Sequence, residues 1–251
     1  MWLNHDRPIG MQVCQIHKYY HPHVGGIEGH VQRLAEGLAA RGGSVRVLTS
    51  TPRGVGGSER INGVAVRRTG SLGEALSVPL APTFPLWTRS DASGVDVAHV
   101  HLPDPLAVVS YLLADPDTDH LVATYHSDIV RQTTALRFYG PVLERFLNRT
   151  DRIITTSPRL RDNSAFLADH REKCTVVPLG IDADKFGSHD GPHLDVPGDD
   201  EEPVVLFVGR LIYYKGVEYL VEAIGDVDAR LVVVGDGELR PALERQAEDL
   251  D

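Results

Sequence analysis

The chain has 251 residues, a hydrophobic content of 42% and a formal net charge of −10. This length suffices for one large or two modest domains, and the acidic balance argues against nucleic-acid binding through a broad basic surface. The apolar runs have the length of strands and are too short to span a membrane. Residues 1–10 lack the basic start and apolar middle of a signal peptide, so a cytoplasmic protein is expected.

Strand and helix patterns alternate along the chain, which predicts an α/β fold with a parallel sheet of βα units. The strands predicted for the first domain are Met11–Ile16, Val45–Thr49, Arg60–Arg68, Asp96–His101, His120–Tyr125, Arg152–Thr155 and Cys174–Val177. The predicted helices are one from Ile27 to about Gly42, then 104–114, 136–148 and 157–167.

Residues 187–203 interrupt this alternation with a polar, acidic stretch that is rich in Gly and Pro. Such a stretch is typical of a linker, which predicts a first domain over 1–186 and the start of a second over 204–251. The second segment holds two βα units, 204–224 and 230–251. Ordinary domains have about 100–150 residues, so the second domain is expected to be incomplete in this chain.

The most informative loop follows the apolar run Val204–Val208. Gly209 and Arg210 come directly after that run, and Lys215 and Gly216 precede an amphipathic pattern. A buried strand, a loop and a helix are predicted, so both cations lie where open α/β sheets bind ligands. An Arg fork and a Lys point charge suit a diphosphate, although solvated loop cations are an equally ordinary explanation.

A glycine pair, Gly25 and Gly26, separates the first predicted strand from the first predicted helix. Glycine permits a close backbone approach, and the helix start at Ile27 offers unpaired N–H groups and the positive end of a dipole. The pair therefore either binds an anion or serves only as a tight turn. The turn contains no GxGxxG sequence, which argues against a dinucleotide-binding oxidoreductase.

Two histidines lie at the carboxyl ends of predicted strands. His101 shares a strand face with His99, and His126 directly follows the next strand. A hydrogen-bonding role in a ligand cleft is expected for His101, because Cys or carboxylate partners at metal-ligand spacing are missing. His126 is predicted to be an active-site residue, and Asp128 either orients it for acid–base chemistry or caps a helix.

A further segment, residues 136–151, mixes three arginines with apolar residues. A basic amphipathic helix can contact an anionic membrane surface. More commonly such a helix lies on the protein surface and buries an apolar inner stripe. Peripheral contact with the inner membrane face is therefore an alternative, and a surface helix is the main expectation.

Several short motifs, in their order and spacing, resemble the GT-B retaining glycosyltransferases of family 4, also called group 1. They are GGIEGH at 25–30, HVH at 99–101 with PDP at 103–105, YHSD at 125–128, VPLGID at 177–182, GRL at 209–211 with KG at 215–216, and GDGEL at 235–239. The resemblance runs from about Met11 to the last residue. It implies a GT-B architecture of two Rossmann-like parallel-sheet domains, the second of them incomplete here.

The resemblance also implies a reaction and its residues. A sugar would pass from a nucleotide-diphosphate sugar to an unknown sugar, lipid-linked or small-molecule acceptor, with retention of configuration and without a metal or other cofactor. The expected catalytic residues are His126, Arg210 and Lys215, and the expected donor-phosphate contacts are Gly25, Gly26, Arg210 and Lys215. Glu28, His30, His101 and Asp128 are expected on the acceptor side of the cleft, with Gly235 and Glu238 near the nucleotide.

Two alternatives to an active transferase follow from the same motifs. The family's carboxylate motif, two Glu spaced by seven residues in the second domain, does not occur before Asp251. A catalytically inactive truncated remnant, or an acceptor-side binding module, is therefore the main alternative. A nucleotide-sugar epimerase can share the GT-B fold, but the loop from Gly209 to Gly216 argues against it.

Overall fold

The computed structural model describes residues 10–129, 133–181 and 202–250. The chain divides into two compact units, residues 1–181 and residues 182–251. Most of the linker predicted over 187–203 lies outside the described residues. Within the described part of the chain, no helix combines the length and the apolar character needed to cross a membrane.

The first unit is organised around one large sheet and a small hairpin. Its strands are β1 (Gln12–Ile16), β2 (Ser44–Ser50), β3 (Gly57–Ile61), β4 (Val64–Thr69), β5 (Glu74–Ala75), β6 (Val78–Pro79), β7 (Val97–Leu102), β8 (His120–Tyr125), β9 (Arg152–Thr155) and β10 (Cys174–Val176). The large sheet has the order β10-β9-β8-β7-β1-β2-β4-β3. Every neighbour in it is parallel except β3, which pairs antiparallel with β4 at the edge. The predicted α/β class is confirmed.

Helices connect these strands. They are α1 (Gly26–Ala40), α2 (Phe84–Ala92), α3 (Pro105–Ala114), α4 (Thr133–Arg149) and α5 (Pro158–Asn163), and a 3₁₀ helix spans Ala168–Lys173. All of these α-helices except α2 were predicted from the βα alternation. The helix predicted over 157–167 is too long. It ends because Ser164 adopts an extended conformation, and its hydroxyl donates to a carboxylate oxygen of Asp128.

The segment predicted as one extended element over 60–68 contains a reversal. Asn62 and Gly63 have φ values of 46° and 85°, so the chain turns between β3 and β4. Positive φ at both central positions is the geometry of a tight two-residue hairpin, for which Asn-Gly is the preferred sequence. The pattern around Asn62 therefore marked a hairpin, with β3 as the antiparallel edge strand.

Both faces of the large sheet are covered by apolar packing. On one face Val31 and Ala35 of α1 pack with alternate residues of β2 and β4. On the other face Phe84 and Phe146, from α2 and α4, pack with Ile16 and other residues of the central strands. Burial on both faces is the usual state of a parallel sheet. It leaves the carboxyl edge of β1, β7 and β8 as the place where polar side chains gather.

The described part of the second unit, residues 202–250, contains two parallel strands and two α-helices. They are β11 (Val204–Val208), β12 (Arg230–Val234), α6 (Val217–Ile224) and α7 (Arg240–Glu248), with a short 3₁₀ helix at Tyr213–Lys215. Leu211, Val217, Val221 and Leu243 form its buried cluster. Alternate residues of β11 remain exposed, namely Val204, Leu206 and Val208.

Candidate functional site

Three histidine rings lie together at the carboxyl edge of the first sheet. His101 comes from β7, His126 follows β8, and His30 lies on the first turns of α1. The ring centroids are separated by 5.6 Å for His101 and His126, 5.2 Å for His30 and His126, and 5.7 Å for His30 and His101. The parallel pairing of β7 with β8 brings these residues together, although they are distant in sequence. We call these three residues the histidine cluster.

A buried glutamine fixes the proton arrangement of this cluster. His101 Nε2 lies 2.6 Å from the side-chain oxygen of Gln15, and because that oxygen only accepts, Nε2 carries the proton. His101 Nδ1 is then an acceptor, and it lies 3.3 Å from His126 Nε2. The His126 Nε2 proton is thereby committed to His101, which leaves His126 Nδ1 as an acceptor.

Burial keeps the cluster uncharged near neutral pH. Burial lowers the pKa of His126 to about 3, with the neighbouring His30 and His17 acting in the same direction. Burial also lowers the pKa of His101 well below its usual range and lowers that of His30. An imidazole removed from water favours the neutral form. The cluster therefore presents neutral hydrogen-bonding groups, which suit hydroxyls better than they suit anions.

An ionic group borders the cluster and involves a histidine that the motifs did not single out. His17 Nδ1 lies 3.3 Å from Asp104 Oδ2, and His17 Nε2 lies 3.8 Å from Glu28 Oε1, all three side chains being nearly or fully buried. Burial alone would lower the pKa of His17, but the two carboxylates outweigh it and raise that pKa. Burial likewise opposes ionisation of Glu28, yet His17 and the backbone lower its pKa to about 2. Glu28 is therefore an ionised carboxylate beside neutral imidazoles.

Asp128 has a different set of partners from the one expected. Its Oδ1 atom accepts hydrogen bonds from the Tyr125 hydroxyl at 2.8 Å and from the Ser164 hydroxyl at 2.6 Å. His126 is held by His101 instead. Asp128 therefore ties β8 to the end of α5, and in this structure it does not orient His126.

The two glycines at the start of α1 differ in how much space surrounds them. A β-carbon at Gly25 would lie 2.0 Å from Glu28 Oε2, because the Glu28 side chain folds back over the helix start. A β-carbon at Gly26 would meet nothing within 4 Å, and Gly26 is exposed. The open side of the helix N-terminus is therefore at Gly26, where N–H groups attract an anion.

The histidine cluster also has the geometry of a metal-binding group. One ring nitrogen from each of His30, His101 and His126 lies within 4.8 Å of the others. Three neutral imidazoles could coordinate a transition metal such as Zn²⁺, with the Gln15 contact fixing the orientation of His101. The sequence-based expectation of no metal is thus neither supported nor opposed by this geometry.

In the second unit the loop between β11 and α6 carries two exposed cations. Arg210 directly follows Gly209, and Lys215 ends the short 3₁₀ helix before α6. Among the described residues, no carboxylate lies within 4.0 Å of either cationic group. The Lys215 ammonium lies 5.9 Å from the centroid of the Tyr214 ring. Unpaired, exposed cations at the carboxyl end of a strand are available to an anionic ligand.

Close backbone packing joins this loop to the one that follows β12. Gly209 N donates to Val234 O, and Leu211 N donates to Asp236 O. A β-carbon at Gly235 would lie 1.8 Å from Gly209 O, and one at Gly237 would lie 2.3 Å from Leu211 O. Both glycines are therefore required by packing. Glu238 is exposed next to this contact.

Comparison with known families places this geometry in context. The sequence profile of Glycosyltransferase Family 4 matches residues 24–185, more than half of the chain. The chain belongs to glycosyltransferase family 4. A second profile, Glycosyl transferases group 1, matches residues 195–251.

Curated relatives of this family 4 protein share about a third of its residues. The O-antigen chain mannosyltransferase C of Escherichia coli is 32% identical over 95% of this chain and 64% of its own length. The D-rhamnosyltransferase WbpZ of Pseudomonas aeruginosa is 34% identical over 94% of this chain and 62% of its own length. The chain therefore spans less than two thirds of either relative.

Solved structures of lower identity share the fold. Sucrose-phosphate synthase from Thermosynechococcus elongatus superposes with a TM-score of 0.70 at 21% identity, covering 96% of this chain and 68% of that protein. The catalytic domain of starch synthase IV from Arabidopsis thaliana, bound to ADP and acarbose, gives a TM-score of 0.65 at 16% identity, covering 96% and 71%.

The family 4 motifs identified the cluster residues but not their supports. Gln15 lies within β1, and His17 directly follows it. The sequence of this run predicts only a strand and its end. Their polar character inside a buried strand was the available signal, because fully buried polar side chains normally have a partner. Asp104 belongs to the PDP motif at 103–105, yet its pairing with His17 depends on the tertiary structure.

Proposed function

We propose that this family 4 protein transfers a sugar from a nucleoside-diphosphate sugar to an acceptor hydroxyl, with retention of configuration and without a metal cofactor. The observation that carries the proposal is the pair Arg210 and Lys215, exposed and unpaired among the described residues. Family membership and the mannosyl- and rhamnosyltransferase names of its relatives support it. The acceptor would be a sugar, a lipid-linked glycan or another small molecule.

The two cations would act on the leaving group. Cleavage of the bond between sugar and diphosphate leaves negative charge on the β-phosphate, and cations already in place stabilise that charge without reorganisation. The Arg210 guanidinium can offer two parallel donors to phosphate oxygens, and Lys215 adds a compact charge. In the first unit, the open N–H at Gly26 is by itself a candidate donor to an anionic group.

The histidine cluster would contact sugar hydroxyls rather than supply charge. His126 and His101 are neutral near pH 7. His126 Nδ1 is the open acceptor, because Gln15 and His126 engage both ring nitrogens of His101. Glu28 is ionised and can accept a hydrogen bond from an acceptor hydroxyl. We assign His126 to the transferred sugar, and Glu28 and His30 to the acceptor. None of these groups is assigned as a covalent nucleophile.

Isothermal titration calorimetry with UDP, GDP and ADP tests the donor assignment on the 251-residue chain. At least one nucleotide should bind, and Arg210→Ala and Lys215→Ala should each weaken binding about tenfold or more, since charge-assisted hydrogen bonds contribute about 1.5–3 kcal/mol. Arg245→Ala is the matched control, because it removes one exposed cation from α7.

Binding of no nucleotide, or binding unchanged by both loop variants, would overturn the donor assignment. Transfer is tested separately with the matching nucleotide sugar, and the anomeric configuration of the product is read by NMR. Retention supports the proposed stereochemistry, and an inverted product contradicts it. Nucleotide binding without transfer to any acceptor would instead identify a binding module.

A further inference from the structure

A cavity of about 460 Å³ opens in the first unit, and its lining includes Lys18 and Pro103, which are close in sequence to His17 and His101. Its walls come from the β5–β6 hairpin, the segment after β7, the residue after Asp128 and the start of α4, and they are mostly apolar: Leu76, Val78, Pro103, Ile129 and Leu136. The volume falls in the range of roughly 300–1,000 Å³ that is typical of small-molecule sites. An apolar wall of this extent favours a hydrocarbon group as the occupant.

Two side chains that line the cavity, Lys18 and Tyr139, offer hydrogen-bond donors. The Lys18 ammonium donates to Ser77 O at 2.7 Å, which leaves two of its three hydrogens available. The Tyr139 hydroxyl is buried and has no hydrogen-bond partner among the described residues. Among the described residues that line the cavity there is no carboxylate, and Glu74 on the adjoining hairpin is engaged by the Tyr19 hydroxyl. The unfilled hydrogen bonds therefore favour an oxygen acceptor, and the charge of Lys18 favours an anionic one.

The hairpin beside the cavity is held in an unusual conformation. Leu76 and Ser77 have φ values of 51° and 62°, in a turn that normally takes Asn-Gly because residues with a side chain are strained there. The turn leaves Leu76 lining the cavity while 74% of the residue remains exposed. Backbone strain of this kind is often found at ligand sites, so the turn is a candidate contact for a ligand in the cavity.

The cavity is connected to the histidine cluster through the chain itself. Lys18 follows His17, Pro103 comes two residues after His101, and Ile129 comes three residues after His126. The cavity and the cluster are therefore formed in part by the same chain segments, which brings a ligand in the cavity within a few residues of the cluster.

We propose that the acceptor is an amphiphile: its hydrocarbon chain occupies this cavity, an oxygen-bearing head such as a phosphate contacts Lys18 and Tyr139, and its sugar hydroxyl reaches Glu28. This inference rests on the proposed glycosyl transfer and names its acceptor class. It also gives a physical reason for action beside a membrane, since lipid-linked acceptors are held there by their chains.

Calorimetry with three octyl compounds, each below its micelle-forming concentration, tests the cavity directly. Octyl phosphate should bind most tightly, octyl β-D-glucoside more weakly, and octyltrimethylammonium least, because only the first pairs with Lys18. Ala75→Trp, at an exposed lining position, should weaken the binding of octyl phosphate and octyl β-D-glucoside by about tenfold or more. Leu72→Trp, exposed near the same hairpin and outside the cavity, should change neither.

Lys18→Met separates the possible heads of the ligand. A loss of affinity confined to octyl phosphate indicates that the natural ligand carries a lipid phosphate. An equal loss of affinity for octyl phosphate and octyl glucoside indicates an uncharged apolar aglycone. Both outcomes are consistent with binding in the cavity. No binding of any octyl compound, or binding unaffected by Ala75→Trp, overturns the inference, even if anionic phosphatidylglycerol vesicles bind the protein. Nucleotide titration of the same variants keeps this outcome distinct from failure of the transferase proposal.

Discussion

Gln15 and His101 form a hydrogen bond of 2.6 Å between two side chains that are both completely buried. Neighbouring parallel strands, β1 and β7, carry them, so the contact is built into the register of the sheet. It determines which nitrogen of His101 carries a proton, and through His101 it sets the orientation of His126. The chemistry of the cluster is therefore fixed from inside the core.

Replacing Gln15 by Leu should destabilise the protein by about 1–3 kcal/mol at most, because the buried His101 N–H would lose the acceptor that Gln15 provides. Loss of the buried Gln15 NH₂, which has no partner among the described residues, offsets part of this cost. The change is close in volume, so cavity formation contributes little. Urea unfolding followed by circular dichroism measures the effect. Gln32→Leu is the control, since the Gln32 amide binds Glu36 on the part-buried face of α1 and should cost less than Gln15→Leu. Equal losses of unfolding free energy in both variants would show that the contact with His101 contributes no more stability than the contact between Gln32 and Glu36.

Gly235→Ala should destabilise the second unit, because the added methyl would lie 1.8 Å from Gly209 O. Forced overpacking typically costs about 1–3 kcal/mol, and here the obstructing atom belongs to the backbone. Hydrogen exchange of β11 and β12 amides should accelerate. Gly225→Ala is the matched control: its φ is −60° and its β-carbon would meet neighbours at 3.6 Å. Unchanged exchange in Gly235→Ala would contradict the close-packing argument.

The fold was more predictable than the arrangement of the site. Apolar runs such as Val204–Val208 predicted strands, because short apolar runs favour an extended segment. The burial predicted for this strand was wrong, since Val204, Leu206 and Val208 are exposed. The β5–β6 hairpin was missed, since its turn residues Leu76 and Ser77 are not the Asn-Gly type of sequence that such a turn prefers. His126 was predicted from its place after a strand. Its contact with His101 could not be, because strand neighbours are set by topology and not by sequence distance.

Metal dependence can be tested on the histidine cluster. Metal-independent transfer predicts that EDTA leaves the rate unchanged and that added Zn²⁺ inhibits, because coordination would occupy imidazoles proposed to hold the sugar. Zn²⁺ binding, measured by calorimetry, should fall at least about tenfold in His30→Gln, since even supporting groups contribute about 10–100-fold to metal affinity. Loss of transfer in EDTA, with recovery on Zn²⁺, would refute the proposed metal-free reaction.

The buried His99 should make stability depend on pH. Burial lowers its folded-state pKa to about 3, whereas an unfolded histidine titrates near about 6.5. A lowered histidine pKa stabilises the fold above the unfolded value, and that stability is lost as pH falls. Between pH 5 and 6 the free energy of unfolding should therefore rise with pH by up to about 1.4 kcal/mol per unit for this one group.

His99→Gln should lower the slope of unfolding free energy against pH by up to about 1.4 kcal/mol per unit. Urea unfolding at several pH values measures this slope. His30, His101 and His126 act in the same direction, so part of the slope will remain. Thr124→Val is the control: it deletes the hydroxyl that lies 2.7 Å from His99 Nε2 while keeping the histidine. It should lower stability at every pH and leave the slope in place. If His99→Gln keeps the full slope, His99 does not change its protonation on unfolding.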